Sequence, residues 1–158
     1  MGISNSAQLQ VEVNRRLEKA LTLTMEELMD KLHEFIQEEV YNEKPKWYNR
    51  TMELLNNWDY TKPQLVANGV ESILSFSQPI SHSGEPDWQH GMSFDNNNSL
   101  VEIVNEGKIG NICNFPQLGE RPFWNKFMEW TNANIYIIFT KHANSVGLKG
   151  AFVSHTFS

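Results

Sequence analysis

Cysteine is almost missing from this chain: Cys113 is the single one in 158 residues. That excludes an internal disulfide and any cysteine-rich zinc site. The bland role of a small apolar residue is the simplest one for it. No apolar run approaches the length of a membrane span. The first residues, MGISNSAQLQ, lack the basic-then-apolar pattern of a secretory signal, so nothing there argues for export. They do fit a myristoylation pattern, although Gly-Ser starts of this kind are common. Positive charge is also short. The formal net charge is −6, which argues against a phosphate-binding surface spread over the whole molecule. Glycine and proline are absent between Ile3 and Lys44, so nothing in that stretch punctuates a helix.

Catalytic motifs are lacking as well. The chain carries no nucleophile elbow, no phosphate-cradling glycine loop and no HExxH. Five histidines remain to be placed. His82 and His90 share a stretch with Glu85, Asp87 and Asp95, the most enzyme-like cluster available, but without a recognised ligand spacing. His33 has no histidine partner at helical spacing. His142 and His155 are isolated, as surface or capping residues commonly are. The reading is therefore a protein that is not an enzyme, with no cofactor and no metal. A small hydrolase built on His82 and His90 is the competing class.

What is present is ordinary for one globular domain: 40% hydrophobic and 20% charged residues. Leu17, Leu21, Met25, Leu28, Leu32, Phe35 and Ile36 recur at steps of three and four, which predicts one amphipathic helix over about 6–42. Such a helix would be roughly 50 Å long at about 1.5 Å per residue. That is more than a compact body of this size needs, so part of it is expected to project or to pack on another copy. Thr24 with Glu27 forms a capping-box pattern, which leaves open two helices broken near Thr22. The segment from Glu26 to Glu43 holds seven acids against Lys31 and alone accounts for the net charge. Glu27, Asp30, Glu34 and Glu38 fall together on a second face. A solvated surface explains them blandly, and an acidic lining or a complement to a basic partner explains them more sharply.

Pro45 ends the helical pattern in EEVYNEKPKWYNRTMELLNNW, where Tyr41, Trp47 and Tyr48 crowd a break that reads as a packed corner. Residues 65–80 read as strand, with Asn68-Gly69 as a hairpin turn. Residues 81–98 read as a long loop that carries Trp88, Met92 and Phe94, aromatic and apolar groups expected to be ordered by a neighbouring subunit. Ser99 to Gly107 has a helix signature with a capping box and a glycine stop. Residues 108–122 read as irregular. Phe123 to Val146 reads as a last helix, with Asn132 and Asn134 as possible interruptions and Gly147 as its stop. Residues 148–158 read as an edge strand or extended arm. The expected fold is α+β: a long N-terminal amphipathic helix packed on a small antiparallel sheet, with a short middle helix and a C-terminal helix, in one domain over 1–158 whose body covers about 45–147.

Several of these residues carry a resemblance. Val40, Tyr41, Pro45, Tyr48, Arg50, Thr51, Leu54 and Leu55, followed late in the chain by Arg121, Pro122, Phe123 and Trp124, resemble the tail-completion proteins, minor tail components of long-tailed bacteriophages. Met52 stands where that pattern frequently has glycine, and the 81–98 loop is longer than the pattern. The resemblance implies a virion structural protein, made in the host cytoplasm, that forms a homo-oligomeric, hexameric ring at the head-proximal end of the tail. Its partners would be the tail terminator, the tail tube and the neck or connector proteins. Genome DNA would pass through without sequence-specific binding, and no membrane would be involved. Tyr41, Pro45, Trp47, Tyr48, Arg50, Thr51, Trp88, Phe94, Arg121, Phe123 and Trp124 would be its interface or structural residues. Glu27, Asp30, Glu34 and Glu38 are candidates for an acidic lumen that repels the DNA backbone. The remaining alternative is an acidic adaptor that binds a basic partner through the first helix.

Overall fold

The computed structural model describes residues 6–42, 53–67, 69–76, 101, 104–106, 108–109, 113–114 and 120–150. The fold is α+β and mostly helical, with a long helix at the N-terminal side, short strands, and a second long helix at the C-terminal side. Helix α1 spans Ser6–Ile36 and continues without interruption into a π-helical turn, Gln37–Tyr41. The expectation of one helix over about 6–42 therefore holds. Thr22 and Thr24 do not break it. Their hydroxyls donate to the carbonyls of Glu18 (2.9 Å) and Ala20 (2.8 Å), one turn back in the same helix. Thr24 uses its hydroxyl on the helix it belongs to and is not available as an N-cap.

Burial along α1 follows the expected stripe. Met25, Leu28, Leu32 and Ile36 are buried, and Val40 continues the stripe into the π turn. Ala20 and Thr24 are buried beside them, although neither is hydrophobic enough to have marked the stripe in the sequence.

Helix α2 is a single turn, Glu53–Asn56. The strands are β1 (Trp58–Tyr60), β2 (Gln64–Val66), β3 (Gly69–Glu71), β4 (Leu74–Phe76), β5 (Lys108–Ile109) and β6 (Cys113–Asn114). They pair two by two, as β1 with β4, β2 with β3, and β5 with β6. The β2–β3 pair is an antiparallel hairpin with Leu65 opposite Val70 and Val66 opposite Gly69. The hairpin was expected, but its strands end at Val66 and begin again at Gly69, each one residue earlier than the Asn-Gly signal suggested. The long strand expected from Val70 onward is divided in two by Thr61. The Thr61 hydroxyl accepts the Ile73 N–H at 2.8 Å, its N–H donates to the Ile73 carbonyl, and its carbonyl accepts the Ser72 hydroxyl. One threonine thus satisfies backbone and side-chain groups at the break between the two strands. The β5–β6 ladder lies where irregular chain was expected. Two residues per strand are too few to show a period of two.

Helix α3 spans Phe123–Ser145. Asn132 and Asn134 do not interrupt it, and the Asn134 amide donates to the Trp130 carbonyl one turn back at 2.8 Å. Gly147 ends it as expected, at φ +83°. The Leu148 N–H reaches the Ala143 carbonyl (2.8 Å) and the Gly147 N–H reaches the Asn144 carbonyl (3.0 Å). That pair of bonds, with a left-handed glycine, is a Schellman end.

The chain groups into two compact units. The first takes residues 1–31, 59–75 and 128–158, and the second takes 32–58 and 76–127. Each long helix contributes residues to both. In the first unit Ala20, Met25, Leu28, Ile138 and Ala143 are buried, and in the second Leu32, Ile36, Val40, Leu54, Trp58, Phe123 and Phe127.

Candidate functional site

The start of α3 organises the second unit. A helix begins with backbone N–H groups that have no partner inside it. The residue at the capping position here is Pro122, which carries no side-chain acceptor. Its carbonyl does accept the first helical bond, from Lys126 at 3.0 Å. The missing cap is supplied from 17 positions earlier. Asn105, 7% exposed, accepts the N–H groups of Trp124 (3.1 Å) and Asn125 (3.3 Å) on its Oδ1 and donates through Nδ2 to Asn125 Oδ1 (3.1 Å). Residues 101 and 104–106 are helical, inside the segment expected as a helix, while Ser99, Glu102 and Gly107 lie outside the described residues. The Val104 carbonyl accepts the Arg121 N–H at 3.2 Å, a second tie at the same place.

Around that helix start lies an aromatic cluster. Trp124 stacks on Trp58 with ring centres 5.1 Å apart and planes 14° apart. Phe76 meets Trp58 edge-on at 5.2 Å, and Phe127 meets both Trp124 and Phe35. Phe123 is completely buried. Among the described residues the buried Trp58 indole N–H has no hydrogen-bond partner, and such a group is costly to desolvate. Lys126 forms an ion pair with Glu39 on the π turn at 2.5 Å.

The first unit is tied differently. Glu27 on α1 accepts from Lys141 Nζ at 2.5 Å and lies 2.8 Å from His142 Nε2 on α3. The Lys141 hydrogen bond foremost, with His142 adding to it, holds the Glu27 carboxyl below its ordinary range in spite of partial desolvation. Lys31 lies over the Trp130 ring at 5.6 Å, within cation–π range. Near its amino end α1 carries a cluster in which Glu12 accepts from Arg15 and Arg16. Those hydrogen bonds, Arg15 first, lower the Glu12 carboxyl to about 2. Arg16 also donates from Nη1 to the Gly147 carbonyl at 3.2 Å.

Leu9 and Val11 on α1, Leu65 and Val66 on β2, Ile73, and Tyr136 and Ile137 on α3 are all exposed. Val11 and Ile137 are 69% and 63% exposed. Among the described residues no helix is long and apolar enough to cross a membrane, and no three histidine, cysteine or carboxylate side chains gather as a metal site.

The candidate residues divide as follows. Arg121, Phe123 and Trp124 come together at the start of α3, where Phe123 and Trp124 pack inward and serve the fold. Tyr41 ends the π turn, half-buried. Asp30, Glu34 and Glu38 are exposed, whereas Glu27 is engaged by Lys141 and His142. Pro45, Trp47, Tyr48, Arg50, Thr51, Trp88, Phe94, His82 and His90 lie outside the described residues. Asn105 was missed by sequence reasoning. Its only signal was an asparagine near the end of a short helical pattern, and nothing local pairs it with residues 124 and 125.

A family model, YomN, matches residues 5–143 of the chain. No curated protein matches, and no solved structure matches.

Proposed function

The chain belongs to the YomN family, which is phage-associated, and from that premise we propose that it is a virion structural protein that works by assembling. In the sharper form of the proposal it is a tail-completion component, a homo-oligomeric ring at the head-proximal end of a phage tail. Its neighbours would be the tail terminator and the neck proteins, and DNA would pass through the ring.

The observation that carries the reading is the pair of long helices with apolar side chains turned outward. Leu9 and Val11 on α1 and Tyr136 and Ile137 on α3 are exposed in the isolated chain. Exposed apolar groups in such number favour a protein surface that another subunit covers. Asp30, Glu34 and Glu38 supply exposed negative charge that suits a conduit for DNA, since like charge keeps a phosphate backbone from sticking. Of the four proposed lining acids, Glu27 has its charge matched by Lys141 inside the chain.

Deleting the gene from a phage that carries it tests the role. The proposal expects filled heads and finished tails that accumulate unjoined, with joining restored when the protein is supplied in trans. Normal particles from the deletion would remove the tail-completion role.

A further inference from the structure

The solvent face of α1 carries its charges in an inverted order. Arg15, Lys19, Glu26 and Asp30 are all exposed. They recur at steps of four, seven and four, so they share one face, opposite the buried Leu28 and Leu32. All four belong to the first compact unit. The two bases lie toward the amino end of the helix and the two acids toward its carboxyl end. Arg15 and Asp30 are equally far from the Thr22–Leu23 peptide, and so are Lys19 and Glu26. Thr22 and Leu23, both half-buried, occupy the middle of this face. An open cleft of about 360 Å³ lies there, in which Leu23 and the buried Pro63 are flanked by Arg15, Lys19 and Lys62.

We propose that the free chain pairs with a second copy of itself along this face, α1 antiparallel to α1, about a two-fold axis at the Thr22–Leu23 peptide. Arg15 of each copy then lies opposite Asp30 of the other, Lys19 lies opposite Glu26, and Leu23 of one copy faces the cleft of the other. The order of the charges chooses the occupant. A uniformly acidic partner is repelled by Glu26 and Asp30, and a uniformly basic one by Arg15 and Lys19. A second copy laid parallel sets like charge against like. An antiparallel copy matches all four positions at once, and every contact occurs twice, as an isologous two-fold interface requires. Arg15 also serves Glu12, but that pair uses its Nε and Nη2, and Nη1 takes no part. With Lys62 beside the cleft, the amino half of the face sets four bases (Arg15, Arg16, Lys19, Lys62) against two acids (Glu12, Glu18). An apolar centre with a charged surround is the common anatomy of a protein interface. Exposed ion pairs are weak singly, so here they set direction and register, and the small contact keeps the dimer in the weak class. The pairing is independent of the proposed tail role. It covers Asp30, so the dimer and a ring with Asp30 on its lumen are alternative states of the chain.

Sedimentation equilibrium of the full chain tests it. At low salt a dimer is expected, with Kd on the order of 10–100 μM. In about 1 M salt, where charges are screened beyond about 3 Å, Kd should rise at least about tenfold. Two variants then read the geometry. Lys19→Glu and Glu26→Lys each set like charges opposite one another at both symmetry-related places, and each alone should raise Kd at least about tenfold. An equimolar mixture of the two variants restores opposite charges at both places and should recover the wild-type Kd as a mixed dimer. Both positions are exposed, and far-UV circular dichroism checks that the variants keep the fold. A full chain that stays monomeric up to about 0.5 mM overturns the proposal. A dimer that neither variant weakens overturns it too, and assigns the pairing to exposed apolar residues such as Leu9, Val11 and Ile137. A mixture no more associated than its two components also overturns it.

Discussion

Replacing Asn105 with alanine should loosen the start of α3 from a distance of 20 residues in sequence. The substitution removes one acceptor that serves two backbone N–H groups, those of Trp124 and Asn125, and one donor that serves the Asn125 side chain. Losing an ordinary N-cap costs about 1 kcal/mol, within a range of about 0.5–2. Here a second N–H is orphaned as well, at a site where Asn105 is only 7% exposed, and water cannot freely replace the lost oxygen. Leaving a buried donor unmatched costs about 1–3 kcal/mol. Asn125 itself is exposed, which moves the total toward the low end. The expected loss is about 2 kcal/mol, or about 4–8 °C in Tm for a chain of this length. Urea unfolding followed by far-UV circular dichroism reads it as a shifted midpoint at constant slope. Asn105→Asp keeps the acceptor and places a negative charge at a helix start, where the macrodipole favours it. It should recover most of the stability lost in the alanine variant. A loss under about 0.5 kcal/mol for Asn105→Ala, or an aspartate variant no better than alanine, would refute the capping role.

Three further substitutions probe other parts of the account. Gly147→Ala forces an L side chain into φ +83° and brings a Cβ within 2.8 Å of Arg16 Nη1. The Arg16 side chain can move aside, so the loss should stay near the backbone strain of about 1–2 kcal/mol, measured by the same unfolding assay. Trp58→Phe should lose less than about 1.5 kcal/mol, because it removes a buried N–H that has no partner among the described residues while keeping a ring on Trp124. Trp58→Ala should lose about 3–5 kcal/mol. Glu27 has a folded pKa below its ordinary value of 4.5, so its pairing with Lys141 and His142 stabilises above that pH and is lost as pH falls through the lowered value. Glu27→Gln should therefore flatten the stability-versus-pH curve below about pH 4.5. At neutral pH it should cost no more than about 1 kcal/mol, since the pair is partly exposed.

The helices were legible in the sequence and the tertiary hydrogen bonds were not. In α1 the apolar residues recur from Leu17 to Ile36, over about five turns, so a misplaced signal such as the Thr24–Glu27 capping box is outvoted by its surroundings. Gly147 was readable because a left-handed stop has few other residues to choose from. The strands failed where they are short. Thr61 cuts one strand expectation in two through its hydroxyl and main chain, and no local pattern marks which threonine will do this. Asn105 escaped for the same reason, since a cap supplied across 20 residues leaves no spacing to find. Of the site expectations, the Arg121–Trp124 segment proved to sit at an organised point of the fold. Glu27 differed from its three acidic neighbours because α3 brings Lys141 and His142 to it, a pairing across 114 residues.

Gold-labelled antibody against this chain, applied to purified phage particles and viewed by electron microscopy, reads the central claim directly. The account predicts label at one position, the collar between head and tail. Particles that carry no label, from a lysate in which the chain is abundant, would contradict it.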